Sequence, residues 1–406
     1  MGLRITGLGL VVAAAAVSAQ APQAPPPVVT PVRVGAVQPI APPPTPLPAE
    51  AASAGVTRFS FVAYGDTRCD CGKGTYDTRT YYPGAPETGA AHSEVVDAML
   101  AKVKSVSHGA YPVKFVLQSG DAVWRGPDAD RWPVFTRIAE RITAGANLPL
   151  FYVPGNHDVT AMPAGDPNHD LGLHNTLSAI SRLIPPEGSP RRLNGYATFA
   201  FGYGNVFAIG LDSNIADDRA QLAWVTDQLE RIDRQRYRHV VVFYHHPAYT
   251  SGRYSGVRST KTLPSGLSAA STSGQPQAMA IRSLYMPLFR KHHVRLLITG
   301  HDHLFDHWVE RYTDADGSHR MDQIISGGGG APTYIYTGEP DLTEYLAAGA
   351  SQQVRVEHLA KPGLTIEDNP HHVLVIQVDG DKLSVEIVGV RPFAPYNGSA
   401  RVSLDN

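Results

Sequence analysis

Six short polar segments hold side chains able to bind cations or move protons, and each closes an apolar run. They are Gly65-Asp66-Thr67-Arg68, Gly120-Asp121-Ala122-Val123-Trp124, Gly155-Asn156-His157-Asp158, Asp212-Ser213-Asn214, His245-His246-Pro247 and Gly300-His301-Asp302-His303. Pooled, they offer Asp66, Asp121, Asn156, His245, His301 and His303 as a set of oxygen and imidazole donors. Such donors suit zinc, iron and manganese. One carboxylate can bridge two cations about 3.5–4 Å apart, a spacing that clamps the attacking and leaving oxygens of an in-line displacement. At a strand end, residues two apart project to one side, so His301 and His303 can serve neighbouring ions. Singly, each segment has an ordinary reading. Gly-Asp forms turns, Asn156 can cap a helix, and a His pair can simply be hydrogen-bonded. The metal reading rests on the whole set, each member following a strand.

The elements that must position these residues are legible as patterns. Apolar runs at 59–64, 113–117, 148–153, 206–211, 240–244 and 294–298 precede the six segments. Their near-continuous apolarity suits strands buried on both faces. Between some of them lie helical spacings, over 93–106 (Val95, Val96, Met99, Leu100, Val103) and 221–232 (Leu222, Val225, Leu229, Ile232). Strand, turn and helix in alternation predict an α/β fold. Sites in such folds gather beyond the carboxyl ends of the strands. Residues 372–378 and 383–390, around Asp379-Gly380-Asp381, read as a hairpin that completes a sheet. The four glycines 327–330 suit close backbone approach; no Gly-Lys-Ser/Thr follows to make a phosphate loop.

Composition excludes other classes. The 406 residues carry 35 Lys+Arg against 37 Asp+Glu, a net charge of −2. No polybasic field for nucleic acid is evident. Two Cys rule out a disulfide scaffold. Residues 1–19 hold Arg4, an apolar run and Val17-Ser18-Ala19, the pattern of a secretory signal, too short to span a bilayer. Residues 20–55 are Pro- and Ala-rich and read as a disordered spacer. The catalytic unit is expected over 56–406, exported to the periplasm or the medium, with no transmembrane segment in the mature chain.

The Gly-Asp-Thr-Arg, Gly-Asp-Ala-Val-Trp, Gly-Asn-His-Asp, His-His-Pro and Gly-His-Asp-His blocks resemble those of the calcineurin-like metallophosphoesterase superfamily, which includes purple acid phosphatases. The resemblance covers roughly 58–308 and 326–332. Asp212-Ser213-Asn214 followed by Gln221-Leu222-Ala223-Trp224 is similar to bacterial members. It implies an α/β fold of the four-layer α/β/β/α sandwich type, with two mixed sheets and a metal site at the strand carboxyl ends. The implied cofactors are two divalent or trivalent ions, Fe, Mn or Zn. By the same resemblance Asp66 and His303 bind the first ion, Asp121 bridges, and Asn156, His245 and His301 bind the second. His157 corresponds to the non-ligand His that assists the leaving oxygen, and Asp158 is expected to orient it. His246 is read as substrate-facing or structural.

Two departures stand out. Many members have Asp-x-His in the first block, where this chain has Asp66-Thr67-Arg68; Arg68 is read as a contact for substrate phosphate, with a structural role as the alternative. Purple acid phosphatases carry Tyr three residues after the bridging Asp, where this chain has Trp124, whose indole only donates. Cys69 and Cys71 follow directly and read as structural or free thiols. Tyr249, Tyr254 and the stretch 251–274 are expected to shape the substrate pocket. The implied activity is hydrolysis of a phosphate ester by a metal-bound hydroxide. The rival reading is a secreted, non-catalytic binding protein whose first metal site is degenerate.

Overall fold

The computed structural model describes residues 37–68, 89–159, 165–255 and 275–405. The signal pattern at 1–19, the first half of the spacer, Cys69 and Cys71, and 256–274 of the pocket loop lie outside the described residues.

Among the described residues, fourteen strands form two mixed sheets. The first has six strands in the order β14 (Arg401–Ser403), β13 (Lys382–Gly389), β12 (His372–Asp379), β1 (Arg58–Tyr64), β2 (Val113–Gln118) and β3 (Leu150–Tyr152). Strands β1, β2 and β3 run parallel, and β12 pairs antiparallel with β1. The expected C-terminal hairpin is β12–β13, in register from His372–Gly389 to Asp379–Lys382. The second sheet has eight strands in the order β11 (Arg355–Ala360), β9 (Phe305–Asp314), β10 (Gly317–Ser326), β8 (Leu296–Thr299), β7 (His239–Phe243), β6 (Val206–Gly210), β5 (Phe199–Tyr203) and β4 (Arg191–Arg192). Here β10, β8, β7 and β6 are parallel and the outer pairs antiparallel.

The strand pattern explains the layering. Along β1, Phe59, Phe61 and Ala63 point one way and Val62 and Tyr64 the other, as a period of two requires. The first set packs against Phe201, Phe243, Ile298 and Ile324 of the second sheet, making the core between the sheets. Val62 and Tyr64 pack under α1 (Ala90–Val106) and α2 (Trp132–Glu140). Helix α1 buries Val95, Val96 and Met99, the spacing that lays one stripe along a helix. In chain order α3 (Asn156–Val159), α4 (Pro167–Ala179) and α5 (Arg219–Arg231) follow α2, and α4 packs Ala179 into the cluster that α2 covers. The Asp166 carboxylate caps α4 through the Asn168 amide, and Asp218 caps α5 through Gln221. Helix α5, with α6 (Pro276–Ala280), α7 (Met286–Lys291) and α8 (Thr343–Ala348), covers the outer face of the second sheet over Val240, Val242 and Leu297. The four layers are therefore helix, sheet, sheet, helix.

Residues 37–55 differ from the spacer reading. Val37 and Ile40 are buried in the core beneath α2 and α4. The Ile40 amide donates to the Ala179 carbonyl at 2.8 Å, and the Ala41 amide to Glu140 Oε1 at 3.0 Å. Further along, Glu50 Oε2 accepts from Ser189 Oγ at 2.7 Å. A Pro-rich segment cannot build its own core, but it can lie extended against another with a few apolar side chains. The folded body therefore begins by Val37, not at about Val56.

Candidate metal centre

The chain reaches the centre through backbone that few residues tolerate. Asp66, Asp121 and His301 all adopt the left-handed region, at φ of 60, 56 and 73°. Non-glycine residues held there cost about 1–3 kcal/mol each and gather at functional sites. They lie two or three residues beyond the ends of β1, β2 and β8, so three strand ends deliver three side chains into one space. Gly155 keeps that space open: a Cβ there would meet Asp121 Oδ1 at 2.2 Å. The glycines at 327–330 make the expected close approach. A Cβ on Gly329 would lie 2.2 Å from the Gly65 carbonyl, and the Gly329 and Ala331 amides donate to the carbonyls of Gly65 and Asp66 at 2.9 and 2.8 Å.

Two groups of donors converge. In one, His245 Nδ1 donates to the Ser119 carbonyl at 2.9 Å, which leaves Nε2 as a bare acceptor. That nitrogen lies 3.1 Å from Asn156 Oδ1, 3.2 Å from His301 Nδ1 and 3.3 Å from Asp121 Oδ1. A tetrahedral ion with bonds of about 2.0–2.1 Å has ligand atoms roughly 3.3–3.4 Å apart. The donor set fits a cation, which would resolve the otherwise awkward meeting of two imidazole nitrogens and two oxygens. Burial holds His245 neutral, its pKa lowered to about 3, and pushes His301 well down. Neutral imidazole is the ligating form.

The other group is Asp66, Asp121 and His303. His303 Nδ1 donates to the Pro332 carbonyl at 2.8 Å, so its Nε2 is likewise bare, 3.5 Å from Asp66 Oδ1. The Asp66 carboxylate accepts the His301 amide at 2.9 Å. Burial and then the Asp121 carboxylate push the Asp66 pKa well up. Arg68 enters this group. Its Nε donates to Asp121 Oδ2 at 3.1 Å and its Nη2 lies 3.1 Å from His303 Nε2.

His157 is set beside both groups. Its amide donates to Asp121 Oδ1 at 2.9 Å, and its Nδ1 lies 2.7 Å from the Trp124 carbonyl. That carbonyl therefore fixes Nδ1 as the protonated nitrogen and leaves Nε2 as the one to act. Burial, then the Arg68 charge, lower its pKa to about 4. Asp158 does not do what was expected of it. Its carboxylate accepts four backbone amides, from Asp121 (2.8 Å), Ala122 (3.0 Å), Val123 (3.3 Å) and Gly155 (2.7 Å). It ties the loop after β2 to the loop after β3, while Trp124, not Asp158, orients His157. The reason is direction: at the start of α3 the Asp158 side chain turns back onto the amides that precede it.

His246 is buried, with Nδ1 2.9 Å from Ser213 Oγ and its ring 4.5 Å from that of His301. Ser213 Oγ also accepts the His245 and His246 amides, at 3.2 and 2.9 Å. The Asp212-Ser213-Asn214 segment after β6 thus supports the His pair. Gln221 anchors it in turn, its Nε2 donating to the Asp212 carbonyl at 2.9 Å. Tyr254 stacks on His301 at 4.1 Å. Tyr249 does not reach the pocket; it is buried against Trp308 and donates to Glu310 at 3.2 Å. Tyr334, absent from the sequence expectations, stacks on His303 at 4.2 Å. Its place just beyond the four glycines was the available signal.

A model of the calcineurin-like phosphoesterase family matches residues 65–305, more than half of the chain. The chain is 21% identical over 234 residues to purple acid phosphatase 1 of Ipomoea batatas, covering 56% of this chain and 43% of that protein. It is 23% identical over 248 residues to a probable purple acid phosphatase 20 of Arabidopsis thaliana, covering 60% and 49%. The chain thus spans less than half the length of these curated relatives. A purple acid phosphatase from yellow lupin (Lupinus luteus) seeds superposes with a TM-score of 0.56 at 14% identity, over 89% of this chain and 55% of that one. At that identity the likeness is one of fold.

Proposed function

This chain belongs to the calcineurin-like phosphoesterase family, and from that premise we propose that it hydrolyses phosphate esters with the help of bound metal. The observation that carries the reading is the meeting of His245 Nε2, Asn156 Oδ1, His301 Nδ1 and Asp121 Oδ1 at separations of 3.1 to 3.3 Å. When bound, a cation of the Zn, Mn or Fe type supplies a water of lowered pKa and neutralises phosphoryl oxygens. The residues do the rest. Asp121 aligns the two donor groups through its two oxygens. Ser119 and Pro332 carbonyls lock the tautomers of His245 and His303, so that both rings present a lone pair. The Trp124 carbonyl fixes His157 as the Nδ1–H tautomer, so Nε2 presents a lone pair that must first take up a proton before it can give one to an ester's leaving oxygen. Tyr254 and Tyr334 wall the imidazoles. The N-terminal signal pattern supports export to the periplasm or the medium; no helix of the described residues is long and apolar enough to cross a membrane.

The test is turnover on aryl phosphate monoesters and diesters. Chelation abolishes phosphate release and Mn, Zn or Fe restores it. His157→Ala keeps its metal content and loses about 10²–10⁴-fold in kcat, the worth of a positioned general acid. Loss of the ion in that variant overturns the role given to His157. Arg68 within the Asp66–Asp121–His303 group favours one alternative, a metal-supported binding protein without catalysis. Full metal content with no hydrolysis of either ester class would establish it.

A further inference from the structure

We propose that Arg68 is a built-in cation that stands in for the first of the two ions, so that the centre holds one metal. The inference rests on the phosphoesterase reading only for its catalytic meaning; the ion count stands by itself.

The guanidinium takes the atoms an ion would use. Asp121 divides its oxygens: Oδ1 faces His245 Nε2 and the His157 amide, while Oδ2 accepts Arg68 Nε at 3.1 Å. The bare Nε2 of His303, which would otherwise face a metal, lies 3.1 Å from Arg68 Nη2. The Asp66 carboxylate completes the group and also feels the Arg68 charge. Two buried carboxylates need a cation between them, and a guanidinium is permanently charged.

Trp124 makes the substitution coherent. The Arg68 guanidinium lies over its ring, 4.5 Å from the centroid. An indole is the strongest cation–π partner among side chains and cannot ligate a metal. Neither Arg68 nor Trp124 can bind an ion; together they house a cation. The Arg68 position is also pinned by the main chain, since its amide and that of Thr67 both donate to the Asp121 carbonyl, at 2.9 and 3.0 Å. The side chain is buried, at 7% exposure, so leaving the group means breaking a desolvated ion pair. That cost puts an ion's affinity for this group at least about 100-fold below its affinity once Arg68 is gone.

The test counts ions. The surface group His293, Asp314 and His319 is a third place where an ion could sit, so all proteins carry His319→Ala. Chelated protein is saturated with Mn(II), desalted, and read by elemental analysis and electron paramagnetic resonance. One ion per chain with an uncoupled spectrum is expected with Arg68 in place. Arg68→Ala and Arg68→His should gain a second ion and a spin-coupled pair, and Arg68→Lys should stay at one. Two tightly held, coupled ions with Arg68 intact overturn the proposal. If Arg68→Ala does not fold, that parent count and the Arg68→His count decide. One ion without any phosphate release would sink the hydrolase reading and leave this one standing; hydrolysis with two ions would do the reverse.

Discussion

Replacing Asp158 by Ala separates two accounts of that residue. Its carboxylate is fully buried and accepts the amides of Asp121, Ala122, Val123 and Gly155 at 2.7 to 3.3 Å. Truncation leaves four donors without an acceptor. A buried donor stranded in this way costs about 1–3 kcal/mol. Water entering the vacated space relieves part of that, so we expect about 4 kcal/mol in total, near the low end of the sum. Asp158→Asn keeps one oxygen but turns an NH₂ toward the amides, and should lose about half as much. The assay is urea unfolding followed by tryptophan fluorescence, with metal content measured on the same samples. At a slope of about 3 kcal/mol per molar, the midpoint of the Ala variant falls by more than about 1 M. Metal content falls with it, because the Asp121 and Asn156 loops lose their tie. An Ala variant within about 1 kcal/mol of the parent, with metal retained and turnover lost, would refute this and restore Asp158 as the group that orients His157.

Three further outcomes follow from other contacts. Gly155→Ala drives a Cβ to 2.2 Å from Asp121 Oδ1 and 2.8 Å from His245 Cε1; it should cost about 1–3 kcal/mol by overpacking and sharply reduce bound metal, read by elemental analysis. Arg290→Leu leaves Glu310, buried among Tyr249 and Tyr345, without its 2.9 Å partner. It should destabilise by about 3–5 kcal/mol in thermal unfolding with metal content unchanged. Burial alone would lower the His358 pKa, but Asp306 at 2.5 Å and Glu339 at 3.0 Å outweigh it and raise it. A raised pKa stabilises fully below the unfolded value of about 6.5 and is lost as pH climbs through the folded value. The stability gap between the parent and His358→Gln should therefore shrink as pH rises above 6.5; a gap that grows would contradict the pairing.

The centre was legible because each ligand lies within about one turn of the end of its strand. Six apolar runs announced β1, β2, β3, β6, β7 and β8, and the polar residue after each run landed where the strands end. What stayed hidden depends on partners far along the chain. Strands β9 and β10 do not read as apolar runs because they bury polar groups that find partners, His307 with Asp322 across the pair at 2.8 Å and Glu310 with Arg290 of α7. The strap at 37–55 has the composition of a spacer, and its contacts with residues far along the chain, such as Ile40 with Ala179 and Glu50 with Ser189, distinguish it. Arg68 and His303 are 235 positions apart, so no local pattern could reveal their contact. The direction of the Asp158 side chain was likewise beyond spacing, since a carboxylate beside a His fits either an orienting role or a loop tie.

The central claim is that ester hydrolysis depends on an ion held by Asp121, Asn156, His245 and His301. Titrating chelated protein with Mn(II) while recording phosphate release from an aryl ester tests it most directly. The account predicts no release at the start, a rise that saturates at a stoichiometric amount of ion, and no comparable rise in Asp121→Asn. Undiminished release from chelated Asp121→Asn protein would contradict it.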